Sequence, residues 1–205
     1  MDIPINVDVV CTSDLCGRST AIVINPINDQ VTHVVVSEND FPHISHLVPI
    51  DNIFVATPNL IQLRCKKAEL KKMAAFEETD FISAGIMESS MPYNDPYFVW
   101  PYGMYEEGPI QFEHENIPAG EIAIHRGTPV YAKDGKVGKV DEFLVDPKNS
   151  TITHLVLREG HLWGKKDVTI PMSEIEKILE NEVDLKLDKQ AVEKLPAIPV
   201  HRLWR

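Results

Sequence analysis

The chain has only three cysteines, no apolar run near the ~20 residues that cross a bilayer, and no basic, apolar leader at its start. Cys11, Cys16 and Cys65 do not make the pattern of a disulfide-stapled scaffold. The spacing of Cys11 and Cys16 is not the CxxC of a zinc knuckle or redox site, so all three read as buried or half-buried thiols. Met1 to Val10 mix Asp2, Asn6 and Asp8 with apolar residues. The expectation is a cytoplasmic protein without a transmembrane segment.

Positive charge is scarce where it would be most telling. From Ala74 to Glu121 there is no Lys or Arg but ten acidic residues, and the whole chain carries a formal charge of -11. Affinity for phosphate backbones comes from clustered Lys and Arg that release counterions, so nucleic acid is not the expected partner. Outside this segment the remaining 21 acids nearly balance 20 bases.

Catalytic grammar is missing too. No GxSxG elbow and no HExxH helix occurs, and Asp134-Gly135-Lys136-Val137-Gly138 lacks the spacing of a phosphate loop. Gly135 and Gly138 are better explained by turn geometry. His43 and His46 stand in an HxxH pattern, but no neighbouring Cys, Asp or Glu completes the three or four ligands that a metal needs. No catalytic residue, metal or cofactor is expected, and the chain reads as a non-enzyme.

What the sequence does contain is an internal repeat. A shift of 121 positions superimposes Val9 on Val130, Gly17 on Gly138, Pro26 on Pro147, Asn28 on Asn149, Thr32 on Thr153, His33 on His154, Val35 on Val156 and Glu38 on Glu159. One residue is then inserted, and a shift of 122 matches Pro49 with Pro171, Ile53 with Ile175 and Leu70 with Val192. The repetition of His33 and His154 therefore reflects a shared place in a fold, not a paired metal site.

The second copy has the clearer local grammar. Asp134-Gly135 is a tight-turn signal, because glycine accepts the positive φ that a type I′ hairpin demands. Val140 to Val145 and Ile152 to Leu157 are short β-branched runs separated by Asp146-Pro147-Lys148-Asn149, a second turn. Asp167 to Pro171 and Val183 to Leu187 supply further strands. Ser173 is placed to cap one short helix and Asp188 another, with Pro196 as its stop. Meanders of this kind close into small barrels that leave no free edge.

The stretch from Gly127 to Asn149, with ITHLVL from Ile152 to Leu157 and VTIP from Val168 to Pro171, resembles the PRC-barrel family. That family includes the cytoplasmic barrel of the photosynthetic reaction centre H subunit and the C-terminal domain of the ribosome maturation factor. The first copy departs from the motif at Asp14, which replaces the turn glycine, and at Thr20-Ala21, which replace Asp-Glu. The resemblance implies docking or assembly functions and no shared catalytic residues.

Between the copies lie nine of the fifteen aromatic residues, with Pro92, Pro96, Pro101, Pro109 and Pro118 among them. Such a composition favours an extended chain whose rings need burial. They either strap across the body of the same molecule or its twin, or offer a partner the anchors Tyr97, Phe98, Trp100 and Tyr102. His161, Leu162 and Trp163 occupy a loop of the second copy, and Phe41 holds the corresponding place in the first. These tips either close over their own barrel or contact a partner.

The expectation is thus a mainly β protein of two tandem PRC-like barrels with short helices, residues 1–74 and 121–205, joined by an acidic aromatic linker over 75–120. Its expected function is that of a non-catalytic adaptor or assembly factor for a protein partner, with a homodimer plausible by twofold pairing. A ribosome or RNA maturation accessory and a docking subunit of a photosynthetic membrane complex are the alternatives.

Overall fold

The computed structural model describes residues 1–12, 14–82, 110–159 and 167–195. It is mainly β. The first elements are β1 (Asp2–Pro4), β2 (Asp8–Val10), β3 (Leu15–Asn25), β4 (Gln30–Glu38), β5 (Ser45–Pro49), a 3-10 turn (Ile50–Asn52), β6 (Ile53–Thr57), β7 (Leu60–Leu63) and helix α1 (Lys67–Leu70). Next come β8 (Glu77–Ile82), β9 (Ile110–Glu115) and β10 (Ile122–His125). The last part holds β11 (Pro129–Ala132), β12 (Gly135–Val145), β13 (Ile152–Glu159), β14 (Asp167–Pro171), a 3-10 turn (Met172–Glu174), β15 (Ile175–Ile178), β16 (Val183–Leu185) and helix α2 (Lys189–Glu193).

Two seven-stranded sheets share one strand order. The first runs β5-β4-β3-β2-β7-β6 with β10 added to β3, and the second runs β14-β13-β12-β11-β16-β15 with β1 added to β12. In both, one pairing is parallel, β2 with β7 and β11 with β16. The added strands are exchanged: β1 lies against β12 with Ile3 opposite Phe143, and β10 lies against β3 with Ile124 opposite Ile22.

The ladders do not close as barrels. β5 and β6 end the first sheet and β14 and β15 the second, and in each case the two end strands are joined only by a 3-10 turn. That turn reverses the chain without leaving a ladder between its flanks, which is why the expected barrel closure is not found.

The sequence rules account for most turns. Asn25 Oδ1 accepts from the Ile27 N–H and Asp146 Oδ1 from the Lys148 N–H, at 3.0 and 2.9 Å. Asn28 and Asn149 then accept from Gln30 and Thr151, both at 3.2 Å. Asp29 and Ser150 follow with φ of 56° and 57°, a left-handed position tolerated best by short polar residues. These two turns also hold each other, since the Val31 N–H donates to Ser150 O and the Ile152 N–H to Asp29 O. The hairpin of β11 and β12 pairs Ala132 with Gly135, so its central residues are Lys133 and Asp134, and Gly135 closes it at φ 126°. Asp188 caps α2 as its position suggests, accepting from the Ala191 N–H at 2.7 Å.

The Ala21-Ile22-Val23-Ile24 part of β3 is buried on both faces, as a continuous apolar run anticipates. Ile22 and Ile24 face a core cluster that continues through Ile3, Val9, Val130, Phe143 and Leu155 of both sheets. Ala21 and Val23 face the other way, into a smaller cluster with Val35, Leu47, Ala123 and Phe76. Phe76 precedes β8, which pairs antiparallel with β9 as a separate two-stranded sheet. One ring of the aromatic middle segment is therefore buried against the first sheet.

The cysteine reading is corrected. Cys11 and Cys16 are joined by a disulfide, and Cys65 is the free thiol. Their spacing matches no scaffold motif, but the tight turn between β2 and β3 brings the two Cα atoms to 5.8 Å, within disulfide reach.

Candidate binding surfaces

The loop between β4 and β5 carries the one sequence-selected anchor within the described residues. Phe41 is 89% exposed, and Ile44 beside it is also exposed. The loop under them is braced. Glu38 N–H donates to Ile44 O, and the His43 N–H donates to Asp40 O at 2.7 Å. His43 adopts a φ of 64°, and its ring meets that of Phe41 edge-on at 6.3 Å.

Charged groups fix the loop from below. Lys67 Nζ of α1 lies 2.8 Å from Asp40, and Lys71 Nζ reaches both Glu38 at 3.2 Å and Asp40 at 3.6 Å. Glu38 and His46 are nearly enclosed and meet at 2.7 Å, with His46 Nδ1 3.3 Å from Met73 O. Burial alone would raise the Glu38 carboxyl, but hydrogen bonds from His46 and Lys71 outweigh it and hold the group below its ordinary range. Lys67, and then Lys71, likewise keep Asp40 low, while Glu38 raises Lys71. The arrangement presents an aromatic ring on a stiff support, which limits the entropy lost when a partner covers it.

His43 and His46 do not converge as a chelate, because His43 Nδ1 sits on Glu38 O at 3.0 Å while His46 is engaged by the Glu38 carboxylate. Among the described residues no cluster of three or more His, Cys, Asp or Glu is arranged to hold a metal ion. His33 lies beside Thr32 and Glu121, and the Thr32 hydroxyl is 2.6 Å from Glu121 Oε2. Thr32 and Thr153 both donate to strand carbonyls, Val23 O and Leu144 O, so these repeated residues serve the sheet.

Two further features had no motif to announce them. One is a cavity of about 350 Å³ on the outer side of the first sheet, lined by His33, Leu47, Pro49, Met73, Asn116 and Pro118 among others. It is drawn from separate segments of chain that only the fold brings together. The other is Asp141, which is 2% exposed and clamped by Arg126 at 2.9 Å and Arg158 at 3.5 Å. Next to it, Glu142, Val156 and Thr169 form one buried row across β12, β13 and β14, where the first sheet has Ala21, Val35 and Leu47.

The repeated glycines have a steric cause. A Cβ on Gly17 would collide with the Ser37 carbonyl oxygen, and one on Gly138 would lie 3.0 Å from Arg158 O. Both mark a close approach of neighbouring strands, not a phosphate cradle.

The sequence-selected anchors Tyr97, Phe98, Trp100, Tyr102, His161, Leu162 and Trp163 lie outside the described residues. Among the described residues no helix is long and apolar enough to cross a membrane. No curated protein matches the chain. A family model does match: the PRC-barrel domain, at residues 125–192, which begins at the end of β10 and reaches into α2, so this part of the chain carries a PRC-barrel domain.

Proposed function

We propose that the chain is a non-catalytic adaptor or assembly factor built from two copies of one PRC-like unit, the second of which is the matched domain. The common strand order of the two sheets supports duplication, as do the equivalent turns at Asn25 and Asp146. The observation that carries the binding role is Phe41, a fully presented aromatic ring on a loop that three ion pairs and a positive-φ residue hold in place. An exposed aromatic on a stiff loop is an anchor for a protein partner, since its burial gains area at little cost in order. Trp163 stands at the corresponding position of the second copy, and Trp100 belongs to the aromatic segment. A cytoplasmic location belongs to the same proposal.

The test is quantitative affinity capture from the native host with the full chain, against Phe41→Ala, Trp163→Ala and Trp100→Ala. The expected result is a partner retained by the wild type and depleted at least tenfold by one of the first two variants, with the melting temperature unchanged. Equal recovery with all three variants would overturn the anchor role. Recovery of small ribosomal subunits, stable at moderate salt, would favour the maturation alternative, and co-fractionation with photosynthetic membranes the docking one.

A further inference from the structure

The two sheets differ most at one place where their backbones agree. In the first, Leu15, Val10, Gln62 and Val55 stand side by side across β3, β2, β7 and β6, fixed by the pairings Val10 with Leu15, Val10 with Gln62 and Val55 with Gln62. In the second, the same registers align Lys136, Tyr131, Asp184 and Lys177. Three of the four residues in the first row are apolar, where the second row holds two lysines and an aspartate.

The apolar row is open. Leu15 is 47% exposed and Val55 42%, and Phe54 and Leu60 next to them are 60% and 38% exposed. Positions equivalent to Phe54 and Leu60 hold Glu176 and Glu182 in the second sheet. Charges at such places are how sheets avoid association, so their loss from one copy alone marks a surface kept for contact.

We propose that this stripe is the docking site for a second copy of the chain, joined face to face about a twofold axis. Charge argues for that occupant. The chain as a whole carries -11, which opposes self-association, but the charges beside the stripe are of both signs, Asp8 and Asp14 with Arg18 and Arg64. Asp8 is ion-paired with Arg18 at 3.3 Å, and Arg64 lies over the Phe54 ring at 5.9 Å. Two such faces meet without the repulsion that the remaining surface would impose, and a twofold contact needs only that the patch complement itself.

Size sets the strength. Four strands at a spacing of about 4.8 Å make a stripe about 14 Å across. A patch that narrow is small beside the roughly 800 Å² per partner of a standard stable interface, so the contact is a weak one that forms at high protein concentration. This inference uses no anchor of the adaptor reading and stands or fails apart from it.

Sedimentation equilibrium of the full chain between about 1 and about 300 μM tests it across the range expected for a contact of this size. The expected result is an average mass that rises from monomer toward dimer in the wild type. It should stay monomeric in Leu15→Lys/Val55→Lys, which installs the charges of the second sheet at two exposed positions. A wild type that remains monomeric at the highest concentration overturns the proposal, as does a double variant that associates equally well. Should the double variant fail to fold, the amide shifts of the wild type decide. Concentration-dependent shifts centred on Val10, Leu15, Phe54, Val55, Leu60 and Gln62 support the stripe, and shifts centred elsewhere or none at all overturn it.

Discussion

Ile3 lies opposite Phe143 across an antiparallel ladder, and both side chains are fully buried. Ile124, the residue 121 positions after Ile3, lies opposite Ile22, 121 positions before Phe143. Each sheet is thus completed by a strand from the other part of the chain. Met1 extends the exchange, its amino group donating to Val145 O at 2.7 Å.

The consequence is shared stability. Ile3→Ala should cost about 2–4 kcal/mol, as large-to-small core changes do, and should weaken the second sheet although the residue precedes the first. Urea unfolding should remain one transition, with far-ultraviolet circular dichroism and the loss of dispersed amide NMR signals from both sheets coinciding. Hydrogen exchange should quicken at Phe143 and Leu144 in the variant. Two separated transitions would contradict a core common to both sheets.

That exchange was beyond reading from the sequence. Residues 1–7 and 122–125 have no turn or periodicity that names a distant partner, and strand pairing across more than a hundred residues is set by tertiary packing. The strands themselves were readable, because Val140 to Val145, Ile152 to Leu157 and Asp167 to Pro171 alternate or run apolar between strong turn residues. Barrel closure was expected where the chain in fact turns at Ile50–Asn52 and Met172–Glu174 without pairing its flanks. The Phe41 loop was legible because it holds the place in the repeat that His161, Leu162 and Trp163 hold in the second copy. Its support by Lys67, Lys71 and Glu38 was not, since those residues lie up to thirty positions away and meet only in three dimensions.

Acid should loosen the loop before it unfolds the sheets. Glu38 has its folded-state pKa held below the ordinary value of 4.5, so its contribution is present above that value and is lost as pH falls through the folded pKa. Lys71 has the opposite sign: raised above 10.5, it contributes fully below that value and loses its share as pH climbs through the folded pKa. Stability measured by urea between pH 6 and pH 3 should therefore fall less steeply in Glu38→Gln than in the wild type. An identical slope in both proteins would mean that the Glu38 contacts with His46 and Lys71 contribute nothing.

The Cys11–Cys16 bond closes a short loop, so its effect on the unfolded chain is modest. By loop-closure entropy it should contribute about 2 kcal/mol. Alkylation of the oxidised protein in denaturant should label Cys65 alone, and all three cysteines after reduction. Reductant should shift the urea midpoint down by the corresponding amount while leaving the far-ultraviolet spectrum unchanged. Labelling of three thiols without reductant would place the chain in its dithiol form.

Gly17 and Gly138 occupy one repeat position but should not tolerate alanine equally. At Gly17 the added methyl would fall on the Ser37 carbonyl, a backbone atom that moves only if β3 parts from β4. At Gly138 the nearest atom, Arg158 O, stands at 3.0 Å, so a shift of a few tenths of an ångström relieves the contact. Replacing glycine also lowers the entropy of the unfolded chain, a gain of about 0.4–1 kcal/mol in either variant. Gly17→Ala should therefore lose about 3 kcal/mol or more, the range of a strained core, and Gly138→Ala no more than about 1 kcal/mol. Thermal melts of the two variants side by side check the order. A Gly138→Ala loss equal to that of Gly17→Ala would mean that the strands of the second sheet approach as closely as those of the first.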